Sequence, residues 1–111
     1  AKEQQKEYKT RTKTFPVMIL QSGLAQAIGF LYAKAKEKEK ANSDDRGYHI
    51  YKEDFLRVLR ATAPNLPNED AKLHSQVLQA DLAQYRQLSH YALEAAGWLK
   101  RIAETKIEGE A

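Results

Sequence analysis

Histidines and carboxylates are the side chains of this sequence that could bind a metal ion or transfer a proton. The three histidines are His49, His74 and His90. None has another histidine or a carboxylate at the spacing of a known metal or general-base motif. The sequence has no cysteine, which excludes disulfides, thiolate metal sites and a cysteine nucleophile. We therefore expect neither a metal site nor a cofactor, and we interpret the histidines as solvent-facing or capping residues.

Neighbouring acids provide no catalytic pair. They fall in predicted turns or first helical turns, where local structure alone explains them: Asp44–Asp45, Glu53–Asp54 and Glu69–Asp70. The sequence also lacks a glycine-rich phosphate loop, a Gly-x-Ser-x-Gly motif and an HExxH motif. It predicts a protein that is not an enzyme and has no small-molecule substrate.

Basic residues are concentrated at the N-terminus. The net charge of the 111 residues is +3, and residues 1–13 hold five basic and two acidic residues, so the rest of the chain is neutral on balance. This segment could contact a polyanion or could be an ordinary solvated terminal helix. Its candidate nucleic-acid contacts are Lys6, Lys9, Arg11 and Lys13.

The last predicted helix has a second basic side. Its members are Arg86, His90, Gly97 and Arg101, with Lys100 beside them. Glu94 and Glu104 lie on the same side, which leaves phosphate contact and a solvated face as alternatives.

The same helix carries an apolar stripe apart from its core face. The stripe consists of Tyr91, Ala95, Trp98 and Ile102. It fits a helix buried between two neighbours, or a protein interface that includes Trp98.

The longest apolar segment, residues 15–34, predicts a central helix that ends near Lys40. Pro16 either begins this helix or kinks a longer one, and we favour a beginning at Pro16. Its predicted core face is Val17, Leu20, Leu24, Ile28, Leu31 and Ala35. Another face is a strip of small residues, Ser22, Ala25, Gly29 and Ala33, flanked by Gln21 and Gln26. Because glycine destabilises a helix, the strip indicates close approach of another helix of the same chain, of a separate chain or of a nucleic-acid backbone. The candidate subunit-interface residues are therefore Gln21, Ser22, Gln26 and Gly29, together with Trp98.

The other segments also predict helices. Residues 48–62 are amphipathic after a turn-rich segment at 42–47, Asn68 is the expected N-cap of the next helix, and Asp81 with Gln84 matches a capping box before a long helix that extends to about Lys106. Residues 1–13 predict a polar helix or arm. The class is all-α: a small bundle of about five helices, with a long central and a long C-terminal helix, in one domain of residues 1–111. We expect a cytoplasmic protein, because the sequence has neither a membrane-spanning apolar run nor a signal-peptide pattern.

Two blocks of sequence resemble a known family. They are Thr14-Phe15-Pro16-Val17-Met18-Ile19 with residues 21–31 and Lys34, and Tyr85-Arg86 with residues 97–104. Together they resemble the small helical subunit of type III-B CRISPR effector complexes, the Cmr small subunit. Two departures are Ser22 before Gly23, where asparagine is usual, and Ile102, where phenylalanine is commoner.

The resemblance implies a non-catalytic helical protein that stacks in several copies as a minor filament beside the backbone subunits. Its implied partners are the backbone subunit, the large signature subunit, copies of itself, and guide RNA paired with target RNA, with cleavage carried out by other subunits. It implies RNA contact by Lys34, Lys100 and Arg101, whereas the N-terminal lysines are candidates by charge alone.

Two other functions fit the composition. A free-standing helical DNA-binding regulator would need a recognition helix, for which Arg57 and Arg60 are the candidates, but the proline-containing loop after them is not the expected short turn. A helical protein–protein adaptor would contact no nucleic acid.

Overall fold

The computed structural model describes residues 2–40 and 46–106, and all regular structure within them is helical. The helices are α1 (Lys2–Ser22), α2 (Leu24–Lys40), α3 (Gly47–Thr62), α4 (Asp70–Gln79) and α5 (Leu82–Lys106). The predicted all-α class, with about five helices and a long last helix, is confirmed. Most of the predicted turn at 42–47 lies outside the described residues.

The chain turns between the first two helices at Gly23, and the predicted helix start at Pro16 is wrong. Gly23 has a φ of 88°, a left-handed conformation that costs glycine little. Pro16 lies inside α1, although it has no amide hydrogen to donate to the Thr12 carbonyl. The predicted central helix is therefore divided, and residues 16–22 continue the polar N-terminal segment as one long helix.

Each side of this turn has its own buried stripe. In α1 the buried residues are Thr12, Phe15 and Ile19, and in α2 they are Leu24, Ala27, Ile28, Leu31 and Ala35. The predicted core positions in α2 are thus confirmed, but Val17 and Leu20 are 47% and 71% exposed. The prediction extended a single helical register across Gly23, whereas the turn there lets α1 present a different face to the core.

α3 lies at the centre of this core. Tyr51 and Phe55 are fully buried, and the Phe15 ring packs edge-on against them at centroid distances of 5.6 and 4.9 Å. Such aromatic pairs add stability beyond the burial of their area, about 0.5–1.5 kcal/mol each. They hold α1 against α3 immediately before Pro16.

α5 packs against α1 and α3 through small residues. Its buried alanines are Ala92, Ala95, Ala96 and Ala103, which let the helix axes approach closely. The Tyr85 hydroxyl, near the start of α5, contacts the Ala25 backbone just after the Gly23 turn. α5 therefore begins where α1 ends and runs back along it.

The two connections before α4 and α5 differ in how they begin a helix. Asn68 is not the N-cap of α4; Glu69 occupies that position and makes no side-chain capping bond. The capping box before α5 is confirmed, because the Gln84 amide donates to Asp81 Oδ1 at 2.8 Å and the Asp81 amide donates to Gln84 Oε1 at 3.2 Å.

Candidate nucleic-acid and subunit interfaces

The small-residue strip, which begins at Ser22 in α1 and continues along α2, is partly covered by α4. His74 Nε2 lies 3.1 Å from the Ala25 carbonyl oxygen, and a Cβ added to Gly29 would lie 3.4 Å from His74 Cε1. The absence of a side chain at Gly29 therefore gives the imidazole access to the α2 backbone. Of the partners expected for this strip, a helix of the same chain is the one found at Gly29. Four other residues of the strip and its flanks remain exposed: Gln21, Ser22, Gln26 and Ala33.

A polar cluster fixes the start of α4. The Asp70 carboxylate accepts hydrogen bonds from Lys52 Nζ at 3.0 Å and Arg60 Nη2 at 3.1 Å, and the Asp70 carbonyl accepts one from the Tyr32 hydroxyl at 3.0 Å. Partial burial alone would raise the pKa of the Asp70 carboxyl, but the bonds from Lys52 and Arg60 outweigh it and the pKa is lowered. Arg60 Nε also donates to the Pro67 carbonyl. The cluster therefore joins α2, α3 and α4.

The first turn of α2 is capped by a side chain from α5. The Ala25 amide donates to the Tyr85 hydroxyl at 3.0 Å, which satisfies one of the donors that a helix start leaves unpaired. A Cβ added to Gly23 would lie 3.0 Å from that hydroxyl oxygen. Sequence reasoning does not find Tyr85 or His74 as partners of Ala25, because they are 60 and 49 residues away. The glycines at 23 and 29 are the available signal that something approaches.

The predicted N-terminal cations do not lie together on one surface of α1. Lys6, Lys9 and Lys13 follow one another at spacings of three and four on the side of α1 away from its buried stripe. Arg11 instead binds Glu7 Oε2 at 3.1 Å and its guanidinium lies 4.6 Å from the Tyr48 ring centroid. The structure thus exposes Lys6 and Lys13, leaves Lys9 between them half-buried and holds Arg11 against α3.

Lys34 is connected to Arg11 by a series of ring contacts. Its Nζ is 5.9 Å from the Phe30 ring centroid and 3.7 Å from Glu37 Oε1. The Phe30 ring packs edge-on against Tyr48 at 6.4 Å, and Tyr48 also contacts Arg11. Lys34 is therefore on the half of the molecule away from the Gly23 turn, with its charge partly offset by Glu37.

The basic residues of α5 separate into two places. Lys100 and Arg101 are exposed near its C-terminal end, alongside the N-terminal half of α1, since the two helices run in opposite directions. Arg86 is also exposed but follows Tyr85 at the Gly23 turn. It is about 22 Å along the helix from Arg101 at 1.5 Å per residue. The structure therefore brings Lys100 and Arg101 to the end that carries the α1 lysines and leaves Arg86 at the other end.

Trp98 borders a groove between α3 and α5. Its side chain is 51% exposed, and the Arg101 guanidinium lies 5.7 Å from its ring centroid. The groove is lined by Val58 and Thr62 of α3 and by Tyr91, Glu94, Ala95, Trp98 and Arg101 of α5. The stripe predicted on α5 is thus divided: Ala95 is buried in the fold, while Trp98 faces outward.

The described residues do not provide a metal site, a membrane-spanning helix or unpartnered arginines for DNA recognition. Residues 2–40 and 46–106 contain no group of three or more potential ligands that could hold a metal ion. None of their helices is both long and apolar enough to cross a membrane. The two arginines considered for DNA recognition have partners within the chain: Arg57 Nη1 binds Asp54 at 2.8 Å, and Arg60 binds Asp70 and Pro67.

Comparisons with known proteins identify the family of this fold. The family model of the CRISPR-associated protein Cas_Cmr5 matches residues 1–106. The chain belongs to the Cmr5 family. A relative is the "CRISPR system Cmr subunit Cmr5" of Thermus thermophilus, 30% identical over 102 residues, which are 92% of this chain and 76% of the relative. No solved structure matches this Cmr5-family chain significantly. The resemblance to the small type III-B Cmr subunit is confirmed.

Proposed function

We propose that this chain is a non-catalytic structural subunit of an RNA-guided Cmr antiviral complex in the cytoplasm. Several copies stack as a minor filament beside the backbone subunits, and their basic side chains line the groove that holds guide RNA paired with target RNA. Membership of the Cmr5 family across residues 1–106 is the observation that carries this proposal. The other protein partners are the backbone subunit and the large signature subunit.

The outward cations at one end of the molecule support the RNA contact. Lys6, Lys13, Lys100 and Arg101 are exposed, and among the described residues no carboxylate pairs with any of them. Such side chains can approach phosphates without first breaking an internal ion pair. Arg11 and Lys34 already bind Glu7 and Glu37. We therefore assign the larger share of the electrostatic contact to the four unpaired cations, with Lys9 beside them and Arg86 at a separate point.

The salt dependence of RNA binding tests this assignment. A variant with Lys6, Lys13, Lys100 and Arg101 changed to alanine is assembled into the complex, and target-RNA affinity is measured across salt concentrations. Each lost phosphate contact should make the negative slope of log affinity against log salt shallower by about 0.7–0.9, so the loss of four contacts should make it shallower by about 3 for each copy in the complex. The affinity should fall similarly for all target sequences, because phosphates carry no sequence information.

A matched control removes cations that have acidic partners. Arg57 and Lys72 lie 2.8 and 3.5 Å from Asp54 and Glu69, and their change to alanine should leave the slope unchanged. If the slope is unchanged in a fully assembled fourfold variant, these residues form an ordinary solvated face and do not contact phosphates.

The isolated wild-type chain, incubated with labelled single-stranded RNA and a divalent metal, should leave the RNA intact.

A further inference from the structure

We propose that the surface around the Gly23 turn is a docking site for an uncharged, apolar surface of a different protein subunit of the complex. This rests on the proposed function in placing the chain within that complex. The corner surface is defined by six exposed side chains from α1, α2, α4 and α5: Leu20, Gln21, Ser22, Gln26, Leu78 and Leu82.

Contacts within the fold bring α4 to this corner. The Asp70 carbonyl accepts a hydrogen bond from the Tyr32 hydroxyl, and one turn later His74 Nε2 lies within hydrogen-bond distance of the Ala25 carbonyl. α4 therefore runs antiparallel to α2. Its next turn, which carries Leu78, lies at the N-terminal end of α2 beside Gly23.

α5 and α1 reach the same corner. Tyr85 contacts the Ala25 amide, and Leu82, the first residue of α5, is one turn earlier. Leu20 lies one turn before Gly23 at the end of α1. Ends of four helices thus converge at one turn of the chain.

The exposure of the corner leucines is unusual for large apolar side chains. Leu20, Leu78 and Leu82 are 71%, 63% and 67% exposed. They are the three most exposed large apolar residues in the described part of the chain. Exposed apolar side chains gathered with uncharged amides are typical of the centre of a protein interface, where charged residues are depleted.

The charge pattern decides the class of partner. Residues 14–33 contain no charged residue, and between residues 73 and 85 the only acid or base other than His74 is Asp81. Arg86 lies at the edge of the corner, one turn after Leu82. One cation and one carboxylate give a phosphate backbone little to bind. An uncharged, apolar protein surface fits this corner, since a buried unpaired charge would be costly.

The test places a charge at the centre of the corner surface. Leu78→Glu and Leu82→Glu are combined, and retention of the variant in the purified, reconstituted complex is compared with that of the wild-type chain. Both side chains are exposed, so the isolated variant should melt at the wild-type temperature. Its affinity for the complex should fall by more than about a hundredfold, because each carboxylate would be buried without a partner. Ile50→Glu, the same kind of change at an exposed apolar residue of α3, is the matched control and should be retained.

The outcomes separate this proposal from its competitors. Normal retention of the double variant overturns it. A double variant that is retained at fewer copies per complex than the wild-type chain, or a wild-type chain that sediments as a dimer while the double variant sediments as a monomer, would assign the surface to a second copy and also overturn it. Normal retention with weakened RNA binding would assign it to RNA. Loss of retention, with an unaltered salt slope for the lysine and arginine variant, would support the corner surface while contradicting the proposed RNA contacts.

Discussion

A leucine at position 29 tests whether the α2 strip belongs to the fold itself. Gly29 is half-buried beneath His74, and even a methyl group would lie 3.4 and 3.6 Å from two atoms of the imidazole. The remaining atoms of a leucine side chain would have to displace α4 or the His74 ring. We therefore expect Gly29→Leu to destabilise the isolated chain, although a replacement of glycine by itself favours a helix.

The magnitude follows from three contributions. Overpacking costs about 1–3 kcal/mol, and loss of the His74–Ala25 hydrogen bond costs about 0.5–1.5 kcal/mol. The better helix propensity returns up to about 1 kcal/mol. The net loss is about 0.5–4.5 kcal/mol and is centred near 2 kcal/mol; a loss of about 2 kcal/mol lowers the melting temperature of a chain of this size by roughly 8–16 °C.

Circular dichroism melts of the isolated chain provide the measurement, with two reference variants. Gly29→Ala adds one carbon at a tight but tolerable distance and should change the melting temperature by only a few degrees. Ala33→Leu enlarges an exposed residue of the same strip and should have little effect. A Gly29→Leu variant as stable as the wild-type chain, but defective in assembly, would refute the reasoning and assign Gly29 to a subunit contact.

Two further predictions concern the contacts that hold α4 and α2. Asp70→Asn should remove part of the acid dependence of stability: the folded-state pKa of Asp70 is lowered, so its contribution is present above the unfolded pKa of about 3.9 and is lost as the pH falls through the folded value. Urea melts between pH 2 and 7 should show a weaker loss of stability for the variant than for the wild-type chain, and parallel curves would contradict this. Tyr85→Phe should lower the unfolding free energy by about 1 kcal/mol because it leaves the Ala25 amide without its acceptor. An unchanged urea midpoint would show that water replaces the hydroxyl.

Local patterns predict most of the helices but not their relative register. The Asp81–Gln84 capping box and the α2 stripe depend on residues within one or two turns, and both are found as predicted. Pro16 lies inside α1, contrary to the prediction from local sequence, because its local cost is overcome by the burial of Phe15 against α3. Leu20 was assigned to the core because nothing in the periodicity alone shows that Gly23 adopts a positive φ.

The candidate site was predictable only as a set of residue types. The concentration of positive charge indicates the α1 lysines as candidates, but the sequence does not indicate that Arg11 binds Glu7 and packs against the Tyr48 ring. Arg86 and Arg101 share a helical face, yet their separation along α5 places them at opposite ends of the fold. The corner leucines come from three helices, and their proximity depends on contacts of Tyr85 and His74 that span 60 and 49 residues.

The hydroxyl that Tyr85 contributes to α2 makes the start of one helix depend on the placement of another. An ordinary N-cap is supplied by a neighbouring residue and forms with the helix itself, whereas this one forms only after a loop of 60 residues has closed. The amide hydrogen of Ala25 should therefore be protected from exchange with solvent only while α5 is docked. We expect the Tyr85–Ala25 contact to form during folding only once α5 has packed, so the exchange protection of this amide would report on the completion of the whole bundle.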